Sequence, residues 1–264
     1  MTSITSRDNS LLRHARAVRD GKDTDSIFVE GLRLCEEAIR SNLKIEAVIY
    51  SDRIAQKDRA AQVINQLDRV APKSASVSEQ LLASISYTKT PQGIILLASR
   101  PTITEKEFAR RQANTPLLVI LDRISNPVNL GAILRTAEAA GATGALTTAG
   151  TTDPFGPKSL RGAMGAAFRL PIWTNVDYIR AVEWCRKRSI QTVCADIEAT
   201  QTYDKIDWRQ PTALILGAES AGLSTEEIAA ANEAIRIPMK GSTESLNVAV
   251  AAGILLYEAY RQRS

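Results

Sequence analysis

The chain has one histidine, His14, in 264 residues. Chemistry that needs a Ser-His-Asp triad, a histidine pair or a histidine-rich metal site is therefore excluded or falls on that one residue. Cysteine is scarce too: Cys35, Cys185 and Cys194 stand far apart, without a CxxC pair. That spacing argues against a zinc site or a disulfide framework, and it fits a reducing cytoplasm. No apolar run reaches the roughly 18 residues needed to span a bilayer. The start, Met1-Thr2-Ser3-Ile4-Thr5-Ser6-Arg7, lacks the apolar centre of a signal peptide. Neither GxGxxG nor GxxxxGK[ST] occurs, which disfavours a dinucleotide-binding dehydrogenase and a P-loop NTPase. Asp122, at the end of a strand-like run, reads as a turn residue or as a group that holds a ribose.

Charge is nearly balanced, with 33 basic and 29 acidic residues. Its placement is uneven. Arg7, Arg13, Arg16, Arg19 and Lys22 face only Asp8 and Asp20 within the first 22 residues. Such a segment is either a solvated helix face or a contact for a phosphate backbone.

Apolar periodicity divides the chain. Residues 1–100 alternate helical and strand-like patterns: Leu11, Leu12, Ala15 and Val18 at helical spacing, strands at 26–30, 47–50 and 93–98, and helices at 32–42 and 54–67. Residues 101–116 are polar with proline at both ends and read as a linker, helical around Glu105 to Gln112. From Leu117 to the end the alternation resumes. The run Leu117-Leu118-Val119-Ile120-Leu121 is that of a parallel strand buried on both faces. The class is α/β, with a parallel sheet covered by helices in 117–264.

Three segments stand out. In Asn126-Pro127-Val128-Asn129-Leu130-Gly131-Ala132-Ile133-Leu134-Arg135-Thr136-Ala137-Glu138, Asn129 is expected to cap a helix and Arg135 to lie inside it. In Leu214-Ile215-Leu216-Gly217-Ala218-Glu219-Ser220-Ala221-Gly222-Leu223, a strand enters a loop of small residues, which lets a ligand approach the backbone. In Ile237-Pro238-Met239-Lys240-Gly241-Ser242-Thr243-Glu244-Ser245-Leu246-Asn247-Val248-Ala249-Val250, a polar loop leads into a nearly uncharged helix. Such a helix must be buried, in the core or against a second subunit.

Together these segments resemble the three signature motifs of the SpoU family of RNA ribose 2′-O-methyltransferases, in the SPOUT superfamily. They stand in family order: N-P-x-N-x-G-A-x-x-R-T-A, L-x-G-x-E-x-x-G and I-P-M-x-G-x-x-x-S-L-N-V-A-V-A. Residues 153–171 also resemble a family segment, with Gly162 where the family more often has serine. Phe28-Val29-Glu30-Gly31-Leu32-Arg33-Leu34 and Thr90-Pro91-Gln92-Gly93 resemble the ribosomal-protein-like RNA-binding domain often fused in front. The resemblance implies a substrate domain over 1–100, a linker over 101–116 and a methyltransferase domain with a trefoil knot over 117–264.

It also implies S-adenosylmethionine as cofactor, held by Gly217, Ile237 and Leu246 with Leu216 and Met239 beside them. Asn129, Arg135, Glu219, Ser245 and Asn247 match the family's polar active-site set. Arg7, Arg13, Arg16, Arg19 and Arg33 are the candidate RNA contacts. A ribose hydroxyl is a weak nucleophile. The family proposal makes Arg135 the base, whereas a guanidinium ordinarily keeps its proton and would stabilise a developing alkoxide. The residues leave both roles open. A homodimer, no metal, and ribosomal rather than transfer RNA are expected. A resistance methyltransferase, a non-catalytic RNA-binding protein of the same fold and a nucleotide-dependent metabolic enzyme are the alternatives.

Overall fold

The computed structural model describes residues 2–264. It contains two compact units. One comprises the residues up to Pro101 together with Phe155–Phe168; the other comprises Thr102–Pro154 and Arg169–Ser264.

The first unit holds β1 (Thr2–Ile4), α1 (Ser10–Arg19), β2 (Ser26–Glu30), α2 (Leu32–Arg40), β3 (Ile45–Ser51), α3 (Asp58–Val70), β4 (Lys73–Val77), α4 (Glu79–Ile85) and β5 (Ile94–Ser99). The sheet order is β1-β4-β3-β5-β2. β5 runs antiparallel to both of its neighbours. Leu12, Ala15 and Val18 of α1 close one face of the core over Phe28, Ile49 and Ile95, so the helical spacing of those three residues is the packing face. Asn9 caps α1 by accepting the Leu11 amide at 2.8 Å.

The second unit holds α5 (Glu105–Arg110), β6 (Leu117–Leu121), α6 (Pro127–Ala139) and β7 (Gly144–Thr148). The chain then passes through α7 (Pro157–Ala163) and α8 (Ala166–Arg169). It continues as β8 (Ile172–Val176), α9 (Tyr178–Arg186), β9 (Gln191–Ala195), β10 (Gln201–Thr202), β11 (Thr212–Leu216), α10 (Thr225–Ala230), β12 (Glu233–Arg236) and α11 (Val248–Arg263). Its seven strands lie in the order β10-β12-β9-β11-β6-β7-β8, and every pairing is parallel. β6 and β11 are buried along their whole length, as two-sided burial of a central parallel strand requires.

The division differs from the sequence segmentation in two places. The stretch 101–116 is no free linker: Phe108 of α5 is fully buried, with its ring 5.9 Å from Trp173 and 5.5 Å from Trp184. One aromatic residue draws a polar segment into the core. Residues 155–168 belong with the first unit. The Phe155 ring lies 5.0 Å from the Arg100 guanidinium, and Gly165, at φ +94°, sits against the Glu37 side chain of α2. The expectation that α11 is buried holds for one face only. Ala252, Leu255, Leu256 and Ala259 are covered, while Val250, Tyr257 and Tyr260 are exposed.

Candidate active site

In a parallel sheet all strands end at one edge, and loops at that edge are where open α/β folds hold ligands. β6, β11 and β12 deliver the three signature segments there, and α6 and α11 begin there. Asn126, not Asn129, caps α6: its Oδ1 accepts the Val128 amide at 2.9 Å. Pro127 occupies the first helical position and fixes where the helix starts. The Asn129 side chain is therefore released from capping. Asn247 caps α11, accepting from Ala249 N at 2.9 Å and Val250 N at 3.4 Å.

Glu219 joins the segments. Its Oε2 accepts from the Ser125 amide at 3.0 Å and the Ser125 hydroxyl at 3.1 Å. Its Oε1 accepts from the Asn126 amide and from Asn129 Nδ2, both at 3.1 Å. Asn247 Nδ2 donates to Asn129 Oδ1 at 3.2 Å. Partial burial works against the charged carboxylate, yet the donors of Ser125, Asn126 and Asn129 outweigh it and hold Glu219 down at about 2.

A carboxylate only accepts, so Asn129 must turn its NH2 to Glu219 and its oxygen to Asn247. Asn247 must then direct its NH2 to Asn129 and its oxygen to the amides of α11. Both amide orientations follow from the two ends of the chain. The helices lie side by side in the same direction: Asn129 meets Asn247 near their starts, and a Cβ on Gly253 would stand 3.9 Å from Thr136 Cγ2 further along.

Gly217 opens the loop after β11. A Cβ there would lie 2.7 Å from the carbonyl carbon of Gly222, because the loop folds back through Gly222 N donating to Ala218 O at 2.9 Å. Ile237 and Met239 are half-buried, and Leu246 and Ser245 are exposed. Among the described residues, no backbone group of 238–246 makes a hydrogen bond within the protein. Leu216 differs from the others: it is buried, and its carbonyl already accepts the Asp122 amide at 2.9 Å. It floors the site rather than lining it.

Arg135 is not brought into this cluster. It is exposed, and no hydrogen bond or ion pair engages it among the described residues. Six residues beyond Asn129 is about 240° around the helix, so the two side chains leave α6 on different strips.

A neighbouring set escaped the sequence reading. Asp122 is 1% exposed, which removes it as a ribose holder. It accepts from Thr148 Oγ1 at 2.8 Å and pairs with Arg123 Nη2 at 2.9 Å. Burial pushes its carboxyl up against the opposing pull of Thr148 and Arg123. Arg123, in the left-handed region at φ +52°, also grips Glu227 with two bonds of 2.6 and 2.7 Å. A strand end followed by a residue with positive φ leaves no sequence signal when that residue is arginine rather than glycine.

Of the N-terminal candidates, Arg7, Arg13 and Arg33 are exposed. Arg16 Nη2 donates to the Arg7 carbonyl at 2.9 Å. Arg19 binds Asp20 and the carbonyls of Ser84 and Ser86. His14 lies in the first unit, 3.1 Å from Asp23, with no part in the cluster around Glu219.

The profile of the SpoU rRNA Methylase family matches residues 116–257, and that of the MRM3-like substrate binding domain matches residues 12–96. An uncharacterised tRNA/rRNA methyltransferase of Synechocystis is 32% identical over all of this chain and 95% of its own length. The 23S rRNA (guanosine-2′-O-)-methyltransferase RlmB of Vibrio parahaemolyticus is 32% identical, covering 83% of this chain and 89% of its own. The crystal structure of an AdoMet-bound rRNA methyltransferase from Sinorhizobium meliloti superposes with a TM-score of 0.84 at 31% identity, covering 98% of this chain and 97% of that one. The motifs, the parallel sheet that carries them and these likenesses agree, and the chain belongs to the SpoU rRNA methylase family.

Proposed function

We propose that the protein transfers a methyl group from S-adenosylmethionine to a ribose 2′-hydroxyl of ribosomal RNA. One observation carries the reading: the Glu219–Asn129–Asn247 chain stands at the strand ends beside a loop, 238–246, whose backbone groups make no hydrogen bond among the described residues. The residues present fit the cofactor. Adenine and ribose need donors and acceptors at close range, and unpaired backbone groups between Ile237 and Leu246 supply them. Ile237, Met239 and Leu246 offer apolar surface for the adenine ring. The close approach at Gly217 holds the opposite loop in place. S-adenosylmethionine supplies an electrophilic methyl on a sulfonium.

The chain's own residues do the rest. Glu219 stays ionised and fixes Asn129. Asn129 and Asn247 then form a rigid polar wall at the starts of α6 and α11. Arg135, unpaired and exposed, serves as the cation that steadies a developing alkoxide and grips the adjacent phosphate. Ser245, exposed and unbonded, is a contact for the ribose. Arg7, Arg13 and Arg33 add phosphate contacts from the first unit.

The exposed stripe of Val250, Tyr257 and Tyr260 on α11 supports a homodimer, and the family supports a trefoil knot in the second unit. A ribosomal RNA substrate supports a cytoplasmic location. Incubation with methyl-labelled S-adenosylmethionine and bacterial ribosomal RNA, followed by mapping, is expected to give one 2′-O-methylated nucleotide. Label on a base, or on transfer RNA alone, overturns the reading. Light scattering in solution checks the dimer: a monomeric mass removes it.

A further inference from the structure

Glu30 is a buried carboxylate with no part in the chemistry at the sheet edge of the second unit. It ends β2, is 6% exposed, and is surrounded by donors from one loop. Oε2 accepts from the Tyr87 amide at 2.8 Å and the Thr88 amide at 3.2 Å. Oε1 accepts from the hydroxyl of Thr88 at 2.6 Å and from that of Ser86. Among the described residues, no lysine or arginine pairs with it. A charge taken out of water is kept only where donors replace the water, and here four donors from three consecutive residues do so.

The rest of the loop is tied in the same inward sense. The Thr88 carbonyl lies 3.1 Å from the Ser86 hydroxyl oxygen and the Thr90 carbonyl 3.1 Å from that of Thr88, so the loop curls over Glu30. Arg19 Nη1 takes the carbonyls of Ser84 and Ser86 from the side of α1, at 3.3 Å each. Two consequences follow. The amides of Tyr87 and Thr88 are unavailable as a phosphate cradle. What the loop turns outward is side chain: the Tyr87 ring, 42% exposed, and the exposed Lys89 two residues on. A large ring costs free energy when left in water, and neither the Tyr87 nor the Lys89 side chain has a hydrogen-bond or ring partner among the described residues. An aromatic face with a cation beside it, on a backbone held rigid from beneath, is what an unpaired base and its phosphate require.

We propose that residues 86–90 form a base-stacking contact for the RNA substrate, with Tyr87 as the stacking ring, Lys89 as the phosphate contact and Glu30 as the residue that positions both. The proposal rests on the RNA-methylating reading above and extends it to how the first unit selects its substrate: by an unpaired nucleotide, rather than by duplex backbone alone. It also gives Arg19 a different role from the one its sequence suggests. Arg19 holds the loop instead of touching RNA.

The test uses the full chain with a ribosomal RNA fragment that the wild type binds. Three readouts are kept apart: RNA affinity by fluorescence anisotropy, kcat and KM for methyl transfer, and S-adenosylmethionine affinity by calorimetry. Tyr87→Ala is expected to weaken RNA binding and raise KM about tenfold or more, with kcat and cofactor affinity unchanged. Tyr87→Phe keeps the ring and is expected to restore wild-type values. Lys89→Ala gives a smaller loss that shrinks as salt is raised. Glu30→Gln sets an NH2 group against donors; it is expected to speed hydrogen exchange at the Tyr87 and Thr88 amides and to raise KM without lowering kcat. Wild-type RNA affinity and KM in Tyr87→Ala overturn the proposal, and this exposed variant tests it even where Glu30→Gln fails to fold. A wild-type protein that binds RNA yet transfers no methyl group overturns the enzymatic reading instead, and the affinity arm still decides the loop.

Discussion

Two loops of this protein lie at opposite extremes of backbone accounting. In 86–90 of the first unit, the amides of Tyr87 and Thr88 are engaged by Glu30 and the carbonyl of Ser86 by Arg19. In 238–246 of the second unit, no backbone group is engaged among the described residues. The first loop has only side chains to offer a ligand; the second offers its backbone. On the proposed reading, the difference accounts for why a cofactor site can exist without a charged fingerprint, and why the loop proposed to stack a base has a buried acid under it. Both loops depend on a glutamate placed outside them, Glu30 in one case and, through Asn129 and Asn247, Glu219 in the other.

The comparison can be broken at several levels. Arg135→Ala has the largest expected effect, a fall in kcat of about 10²–10³-fold, the scale for losing one charge-stabilising group. Cofactor affinity by calorimetry should stay within about twofold. Arg135→Lys keeps the charge without the planar fork, so substantial activity in that variant marks a point-charge role. Full activity in the alanine variant removes Arg135 from the reaction.

Gly217→Val comes next. Its side chain collides with the Gly222 backbone, so S-adenosylmethionine affinity should drop by about an order of magnitude or more, the scale at which overpacking displaces backbone. Retained affinity means that the 218–222 loop is no wall of the cofactor site.

Glu219→Gln follows, with about a tenfold loss in kcat/KM, since losing hydrogen bonds to a charged acceptor costs about 1.5–3 kcal/mol in full and less at an exposed site. Its pH signature is separable. A carboxyl held at about 2 adds stability above the ordinary carboxylate range. That stability is lost as pH falls from about 4.3 toward 2. Urea titrations should show the wild type converging on the variant only in that window; a constant gap down to pH 2 contradicts the hydrogen-bond assignment.

The smallest effects sharpen the contrast most. Ser242→Ala and Thr243→Ala remove side chains from a loop that works through its backbone, so cofactor affinity should change by no more than about twofold, in the usual range for surface substitutions. Arg13→Ala and Arg33→Ala should each lower the slope of log affinity against log salt by about 0.7 to 0.9, one phosphate contact apiece. An unchanged slope moves the basic contact to Lys158 and Arg161, exposed on α7.

Much of the site was legible because its residues sit in short runs with strong local logic. Each of the three segments runs from an apolar strand through a short loop to a new element, but Glu219, Asn129 and Asn247 could be named as site residues only through the resemblance of those segments to the SpoU motifs. The cap of α6 was misplaced by three residues because two asparagines flank Pro127, and only the geometry shows that the proline starts the helix after Asn126. The role of 101–116 was hidden because a single Phe108 outweighs a polar neighbourhood once three aromatic rings meet. Arg16 and Arg19 read as RNA contacts on charge alone, yet the backbone carbonyls they hold come from loops that helical spacing does not reveal.

The sequence by itself determined the longer strands and helices, though not β1, β4, α4, β8, β10 or α10, and that the second unit is a parallel sheet under helices. These rest on side-chain periodicity and turn chemistry, which act over a few residues. Only the tertiary structure decided who meets whom. Asn129 reaches Glu219 across 90 positions and Asn247 across 118, and Glu30 reaches its loop across 56 to 58. Those meetings follow from strand order, in which β11 lies between β9 and β6 and β12 between β10 and β9. That order is set by how the whole apolar surface is best buried, a property of no single segment.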